Sequence, residues 1–337
     1  MDPVDALNEI ALLLELERAS EFKTKAFRAA AVALAKVPLD QRQSQVDSGE
    51  LKKTKGIGGT SYEVIVEALA REVPQYLKDA RERGEKARVV GGERLLAMLK
   101  GDLHSHSDWS DGTTSIELMA STARSLGREY LALTDHSPRL KVANGLTVER
   151  LRKQLDVVAG INKTADGFRL LSGIEVDILD DGALDQTDVM LDRLDIVVAS
   201  VHSKLRMESN EMTERMLGAI ADRHTNVLGH CTGRLVEGSR GTRPPSDFDA
   251  KAVFAACAAN NVAVEINSRP ERRDPPGPVI DLALKAGCLF SVDTDAHSPG
   301  QLGLLDYGAA RAAAHEIPAE RIVTTWPLDR LLDWARG

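Results

Sequence analysis

Nine side chains in this 337-residue chain, all imidazole or carboxylate, recur just beyond short β-rich runs. His104 and His106 form a His-x-His pair with Asp111 beyond it. His136 follows Thr134-Asp135, Glu175 follows Gly173-Ile174, His202 follows Ser200-Val201, His230 follows Gly229, and Asp295 and His297 form an Asp-x-His pair. Imidazole and carboxylate without thiolate suit divalent ions such as Zn²⁺, Mn²⁺ or Fe²⁺ better than Ca²⁺. Nine ligands are too many for one ion. At roughly four to six ligands per ion, with carboxylates able to bridge, they imply two or three divalent ions per chain. Such a cluster suits hydrolysis, because a bound water's pKa falls to roughly 7 while neighbouring positive charge faces a phosphoryl group. The expected nucleophile is that metal-bound hydroxide, and no separate nucleophilic side chain is assigned.

Basic residues beyond the same runs are candidates to hold a substrate phosphate, since guanidinium matches phosphate oxygens bidentately. They are Lys204 and Arg206 after His202, Arg234 after His230, and Arg269, Arg272 and Arg273 after Asn267, with Arg234 and Arg269 ranked first. Trp109, between His106 and Asp111, could stack on a base or could pack.

For these residues to meet, the chain must bring distant segments to one rim. From Leu103 onward β-rich runs alternate with helical stretches, the pattern of a parallel α/β architecture. The runs are 101–103, 130–134, 168–174, 194–200, 226–228, 262–266 and 288–292. Helical stretches at 115–126, 148–161, 211–221, 250–259 and 278–286 supply crossovers. In a barrel of parallel strands the C-terminal ends converge on one pocket. Six of the eight histidines sit at such ends; His224 and His315 do not and read as structural. Glu265, on the sixth run, also reads as structural.

The first ninety residues read as helices. Apolar positions repeat at Ile10, Leu13, Leu14 and Leu16 within Asp5 to Arg18, and at Phe27, Ala31, Leu34 and Val37 before Pro38. A glycine-rich hairpin, Lys55-Gly56-Ile57-Gly58-Gly59, then leads into a run carrying Val64, Ile65, Ala68 and Leu69. The charged stretch from Lys78 to Arg88 reads as the link to the second part. The predicted domains are 1–90 and 91–337.

Composition narrows the classes. With 43% hydrophobic and 28% charged residues and no apolar stretch of membrane-spanning length, a soluble globular protein is expected. The acidic start Met1-Asp2-Pro3-Val4-Asp5 is wrong for a targeting peptide, so a cytoplasmic location is the default. Cys231, Cys257 and Cys288 form no Cys-x-x-Cys pair, which leaves neither a disulfide framework nor a thiolate zinc site. Residues 1–100 carry 17 basic and 16 acidic residues and residues 101–337 carry 26 and 35, so the acidity belongs to the larger part. That argues against a non-specific polyanion-coating protein, although metal ions at a carboxylate-rich site would cancel part of the charge locally.

The strings Gly101-Asp102-Leu103-His104-Ser105-His106-Ser107-Asp108-Trp109-Ser110-Asp111-Gly112, Leu133-Thr134-Asp135-His136, Gly173-Ile174-Glu175, Ala199-Ser200-Val201-His202, Gly229-His230 and Thr294-Asp295-Ala296-His297 resemble successive motifs of the polymerase and histidinol phosphatase (PHP) family. The resemblance implies a distorted (β/α)7 TIM-like barrel and a trinuclear site with nine ligands. Asp111 and the stretch Ala143-Asn144-Gly145-Leu146-Thr147 look most like the PHP domain of bacterial family X DNA polymerases, whose implied activity is a metal-dependent 3′–5′ exonuclease or related DNA-end phosphoesterase. Residues 1–85, with Phe22-Lys23, Ala26-Phe27-Arg28-Ala29-Ala30 and Lys55-Gly56-Ile57-Gly58, are similar to the small all-α helix-hairpin-helix domain of the same polymerases. Backbone N–H groups at Gly56, Gly58 and Gly59, with Lys52, Lys53 and Lys55 nearby, could grip a DNA phosphate.

Two departures limit what carries over. About twenty residues separate residue 85 from His104, and a polymerase palm needs on the order of 100, so no polymerase activity is expected. Val64 stands where the lyase versions of this domain place a Schiff-base lysine, so no lyase activity is expected either. The leading expectation is a metal-dependent phosphoesterase acting on DNA ends or nucleotides. The alternative is a small-molecule phosphatase of the histidinol-phosphate type. A DNA-binding module with a structural metal fits less well, because such sites close with about four ligands. An amidohydrolase fits the nine-residue arrangement poorly.

Overall fold

The computed structural model describes every residue except Ala87, Arg88, Ser239 and Arg240, and of Glu21 the backbone alone. The chain divides into two compact units, residues 1–88 and 89–337.

The first unit is built from α1 (Pro3–Leu16), α2 (Glu21–Ala35), α3 (Arg42–Asp47), α4 (Gly59–Leu69) and α5 (Gln75–Lys86). Asp2 caps α1, accepting from Val4 N at 2.7 Å, and Pro3 opens the helix where its missing N–H costs nothing. Leu7, Ile10 and Leu14 of α1 pack with Phe27 and Leu34 of α2, Val64 and Ile65 of α4, and Leu77 of α5. The stretch expected to link the two parts is therefore mostly helix α5, which buries Leu77 and Ala80; its last two residues lie outside the described ones. At the hairpin Gly56 has φ +99°, a conformation that favours glycine, and a Cβ there would stand 3.2 Å from Ala29 O. Gly58 N donates to Ser61 Oγ at 2.9 Å, starting α4.

The second unit carries α6 (Glu93–Leu96) and then seven strands: β1 (Gly101–Asp102), β2 (Tyr130–Leu133), β3 (Arg169–Asp177), β4 (Ile196–Ser200), β5 (Val227–Leu228), β6 (Ala263–Asn267) and β7 (Phe290–Asp293). All pair parallel and in sequence order. The crossovers are α7 (Ile116–Ser125), α8 (Val148–Asn162), α9 (Asp188–Leu191), α10 (Ser209–Ala221), α11 (Ala250–Ala259) and α12 (Gly277–Ala286). α13 (Leu305–Ala314) and α14 (Leu328–Arg336) follow β7. The seam between β1 and β7 is joined largely by side chains. Leu103 N donates to Asp293 Oδ1 at 2.7 Å, Thr294 N to Asp102 Oδ1 at 3.2 Å, and one bridge pairs Ser105 with Ala296. The result is a nearly closed seven-stranded barrel.

Period-two alternation explains why the chemistry lies at one end. Tyr130, Ala132, Leu171, Ile196, Val198, Val227 and Ala263 form an apolar layer with Val323, Trp326 and Leu331 from the C-terminal segment. Two or more residues further along the same strands come Thr134, Glu175, Asp177, Ser200, Glu265 and Asn267, all buried and polar. The intervening Ile174, Val176, Val197, Ala199, Val264 and Ile266 belong to a second core that includes Met216, Val253, Phe254 and Ile280 of the surrounding helices. Each such buried Leu, Ile or Phe contributes roughly 1.5–3 kcal/mol. Two inward glycines make room between the layers: a Cβ at Gly173 would lie 2.9 Å from Ile196 O, and one at Gly229 would lie 2.3 Å from Ser200 Oγ.

Candidate metal centre

All nine residues meet above the apolar layer. Glu175 is the hub: His136 Nδ1 and His230 Nε2 lie 2.9 Å from its carboxylate oxygens, His202 Nε2 3.2 Å, His104 Nε2 3.3 Å and His106 Nε2 3.6 Å. Asp111 Oδ1 is 3.5 Å from His136 Nε2 and 3.4 Å from His297 Nε2, and Asp295 Oδ1 is 3.4 Å from His106 Nε2. Three overlapping groups could each hold an ion: His106, Asp111, His136 and His297; His104, His106 and Glu175; His136, Glu175 and His202. Ligand atoms ~2.1 Å from a shared ion and 90–109° apart would stand ~3.0–3.4 Å from one another, close to these separations.

The polar atoms themselves ask for a cation. Both Glu175 oxygens, both ring nitrogens of His106, His202 and His230, His104 Nε2 and His136 Nδ1 are buried without hydrogen-bond partners. Orphaned polar atoms in such number are costly in a dry interior, and a divalent ion among them satisfies several at once. Burial penalises the Glu175 carboxylate, but His104, His202 and His136 outweigh it and hold its pKa well below the usual carboxylate range. Burial, with the charges of His297 and His136, pushes His106 down to about 3, which keeps its ring neutral and its lone pair available. The residues present fit divalent metal ions.

Outer contacts fix which nitrogen faces inward. His104 Nδ1 lies 2.6 Å from Glu265 Oε1 and His297 Nδ1 2.8 Å from Asp295 O, so each presents Nε2 to the cluster, while Asp177 Oδ1 accepts from His202 N at 3.1 Å. Glu265 is thus more than structural: it is fully buried, orients His104 and accepts from His230 N. Its place on the sixth strand two residues before Asn267, in line with the other rim residues, is the available signal. Glu175 does not end its strand. β3 runs on to Asp177, and His136 bridges to Glu175 as a strand neighbour. The missed Asp177 faces inward two residues later, as strand periodicity requires.

Further contacts the sequence did not mark brace the loops. Asp135 accepts from Ser107 N at 2.8 Å and Gln154 Nε2 at 2.6 Å, tying down the segment between His106 and Asp111. Arg215 of α10, 1% exposed, donates from Nε to Ile178 O at 3.0 Å and from Nη1 to Ser203 O at 2.9 Å. It staples the end of β3 to the residue after His202. Asp295 holds φ +52° and is clasped by Arg272 at 2.9 Å and Asn267 at 3.2 Å.

The cations expected to hold substrate phosphate fall in different settings. Arg272 is buried and ion-paired to Asp295. Arg234 donates to the carbonyls of Arg272 and Arg273, bracing that loop. Lys204 pairs with Asp180 at 2.6 Å, and Arg273 lies 3.8 Å from Glu237. Arg269 sits at the cluster, its Nη1 3.2 Å from His297 Nδ1, and also pairs with Glu271. Arg206 is exposed, with no ion pair among the described residues. Trp109 packs against two core clusters. His224 contacts Asp222 and Asp192, and His315 contacts Asp281, both apart from the cluster. In the helical unit Lys52, Lys53, Lys55, Gly56, Gly58 and Gly59 are exposed, while Val64 is 1% exposed in the core.

Among the described residues no helix is long and apolar enough to cross a membrane. Residues 102–269 match the family model described as PHP domain, and residues 1–73 that described as helix-hairpin-helix domain. The Bacillus subtilis protein named "DNA polymerase/3'-5' exonuclease PolX" is 39% identical over 243 residues, 71% of this chain; the match spans 42% of that relative's length. A protein of Caldicellulosiruptor saccharolyticus named "Probable phosphatase" is 26% identical over 71% of this chain and 96% of its own. Among solved structures, a histidinol phosphate phosphatase of Lactococcus lactis covers 65% of this chain and 93% of its own at 18% identity and a TM-score of 0.48, too distant to bear on function. The chain thus carries a helix-hairpin-helix domain over residues 1–73 and a PHP domain over residues 102–269, and the strand-end motifs and most of the buried histidine and carboxylate cluster fall within the latter.

Proposed function

We propose that this chain hydrolyses phosphodiester bonds at DNA ends or in nucleotides, in the manner of a 3′–5′ exonuclease, with His104, His106, Asp111, His136, Glu175, His202, His230, Asp295 and His297 holding two or three divalent ions. The observation that carries the metal half is the gathering of five imidazoles around the single buried carboxylate of Glu175. Divalent ions bound there would supply an activated water near neutral pH and offset the charge that builds on phosphoryl oxygens. Glu175, between several imidazoles, is suited to bridging; Asp111, 36% exposed at its side chain, and His297 face the open side where a substrate enters. Glu265 and the Asp295 carbonyl hold the imidazoles of His104 and His297 in one tautomer, and Asp177 anchors the backbone of His202. Arg269, beside His297, is placed to meet a phosphate oxygen.

The nucleic-acid half is supported by the helix-hairpin-helix match and by 39% identity to the exonuclease-named relative, against 26% to the phosphatase-named one. Exposed Lys52, Lys53 and Lys55 flank the hairpin that opens α4 and could hold a DNA phosphate. The test is incubation of Mn²⁺- or Zn²⁺-loaded protein with 5′-labelled single-stranded, nicked and 3′-phosphorylated DNA, alongside histidinol phosphate. Stepwise shortening from the 3′ end supports the proposal. Turnover of histidinol phosphate with every DNA left intact would replace it with the small-molecule phosphatase.

A further inference from the structure

The segment after His136 carries an arrangement the metal chemistry does not use. Residues 137–146 form a short rigid loop. Leu146 N donates to His136 O at 2.7 Å, Arg139 N to Asp185 Oδ2 at 2.6 Å, and Lys141–Ala143 makes a single 3-10 turn closed by Asn144 in the left-handed conformation, φ +55°. Gly145 lies so close under Ser137 that a Cβ would stand 1.8 Å from its carbonyl oxygen. Asn144 Nδ2 donates to Trp109 O at 3.1 Å, fastening the loop to the segment that carries Asp111. The loop is therefore braced between two ligand-bearing segments, His136 on one side and Asp111 on the other.

What it presents is unusual. Val142 is 95% exposed, more than any other large hydrophobic among the described residues. Just before it in the chain Arg139 and Lys141 are exposed, and neither makes an ion pair among the described residues. An apolar tip preceded by two exposed cations, on a braced loop, matches a polymer that alternates phosphate with apolar sugar and base surface. A small monoester has one phosphate and cannot use both features.

From this juxtaposition we infer that the 139–142 loop is a substrate-strand site: Arg139 and Lys141 hold backbone phosphates of a single-stranded nucleic acid beyond the one being cleaved, and Val142 lies against a sugar or base. This rests on the nucleic-acid reading above and adds the residues that would select a strand over a lone phosphate.

The test compares wild type with Arg139→Ala/Lys141→Ala, both metal-loaded, on a 3′-hydroxyl single-stranded DNA oligonucleotide and on bis(p-nitrophenyl) phosphate. The expected result is that KM for the oligonucleotide rises about tenfold relative to KM for the small diester. The slope of log(kcat/KM) against log[salt] on the oligonucleotide should also become shallower by about 1.4, two phosphate contacts at ~0.7 each. Val142→Ala, which keeps the loop's charges, should raise the oligonucleotide KM without changing the slope. An unchanged salt slope in the double variant, or equal rises in both KM values, would overturn the inference while leaving the exonuclease reading intact. Wild type that cleaves the small diester and no oligonucleotide would remove both.

Discussion

In the helical unit the described buried polar side chains are Thr24, Arg42 and Ser61, and the hairpin groups that could touch a ligand are exposed glycines and lysines. In the barrel the order is reversed. Histidines and carboxylates crowd the interior, many with no partner, and the exposed surface is secondary. The first unit is complete as a fold without a ligand and would bind through its surface. The second has built a polar pocket that its own atoms cannot satisfy, so its stability and its chemistry should both depend on cations. Removing metal ought therefore to strike one region and spare the other.

The largest effect should follow Glu175→Gln, which keeps the shape but removes the charge at the hub. We expect kcat to fall by more than about a thousandfold, on the order of 4 kcal/mol of barrier, with loss of at least one ion by elemental analysis. Chelation comes next. Ions bound at ~1,000 times their Kd add ~4 kcal/mol to the native state, so the barrel's thermal midpoint should drop by roughly 10 °C on metal removal. Hydrogen exchange should rise in the segments around 104–111, 201–207 and 229–234, and stay unchanged in residues 1–86; equal loss of protection in both units would break the comparison. Glu265→Gln and Arg215→Met should each weaken metal binding about 10–100-fold, read by competition with a chromophoric chelator, because each acts through a ligand's position. Arg215→Lys should recover part of the loss, since one amine replaces some of the guanidinium's donors. The smallest effect is expected in the other unit: Gly56→Val, strained at φ +99° and against Ala29 O, should destabilise the hairpin by about 1–2 kcal/mol and weaken oligonucleotide binding. Metal content should not change.

Much of the barrel was legible because ligand residues and strand periodicity reinforce each other. His104, His136, His202 and His230 each follow a β-rich run, and that shared offset predicts a common rim. What escaped was set by contacts between segments. Nothing local marks Asp177 as a partner of His202, because the end of β3 depends on its pairing with β4. Sequence leaves Glu265 between supporting contacts and structure alone, because its partner His104 is 161 residues away. Basic loop residues look equivalent by position, yet Arg272 is buried against Asp295 and Arg234 braces carbonyls, while Arg139 and Lys141 are exposed and make no ion pair among the described residues. In the helical unit the charged stretch from Lys78 to Arg88 reads as a link because its charges mask the apolar pair, Leu77 and Ala80, that seats α5.

The central claim is that the barrel's buried cluster exists to hold several divalent ions. Elemental analysis of the full chain, reconstituted with Mn²⁺ or Zn²⁺ and freed of unbound metal, tests it most directly. The account predicts two or three ions per chain in wild type and at least one fewer in Glu175→Gln. Wild type that retains no ion, or a Glu175→Gln variant with the same content, would contradict it.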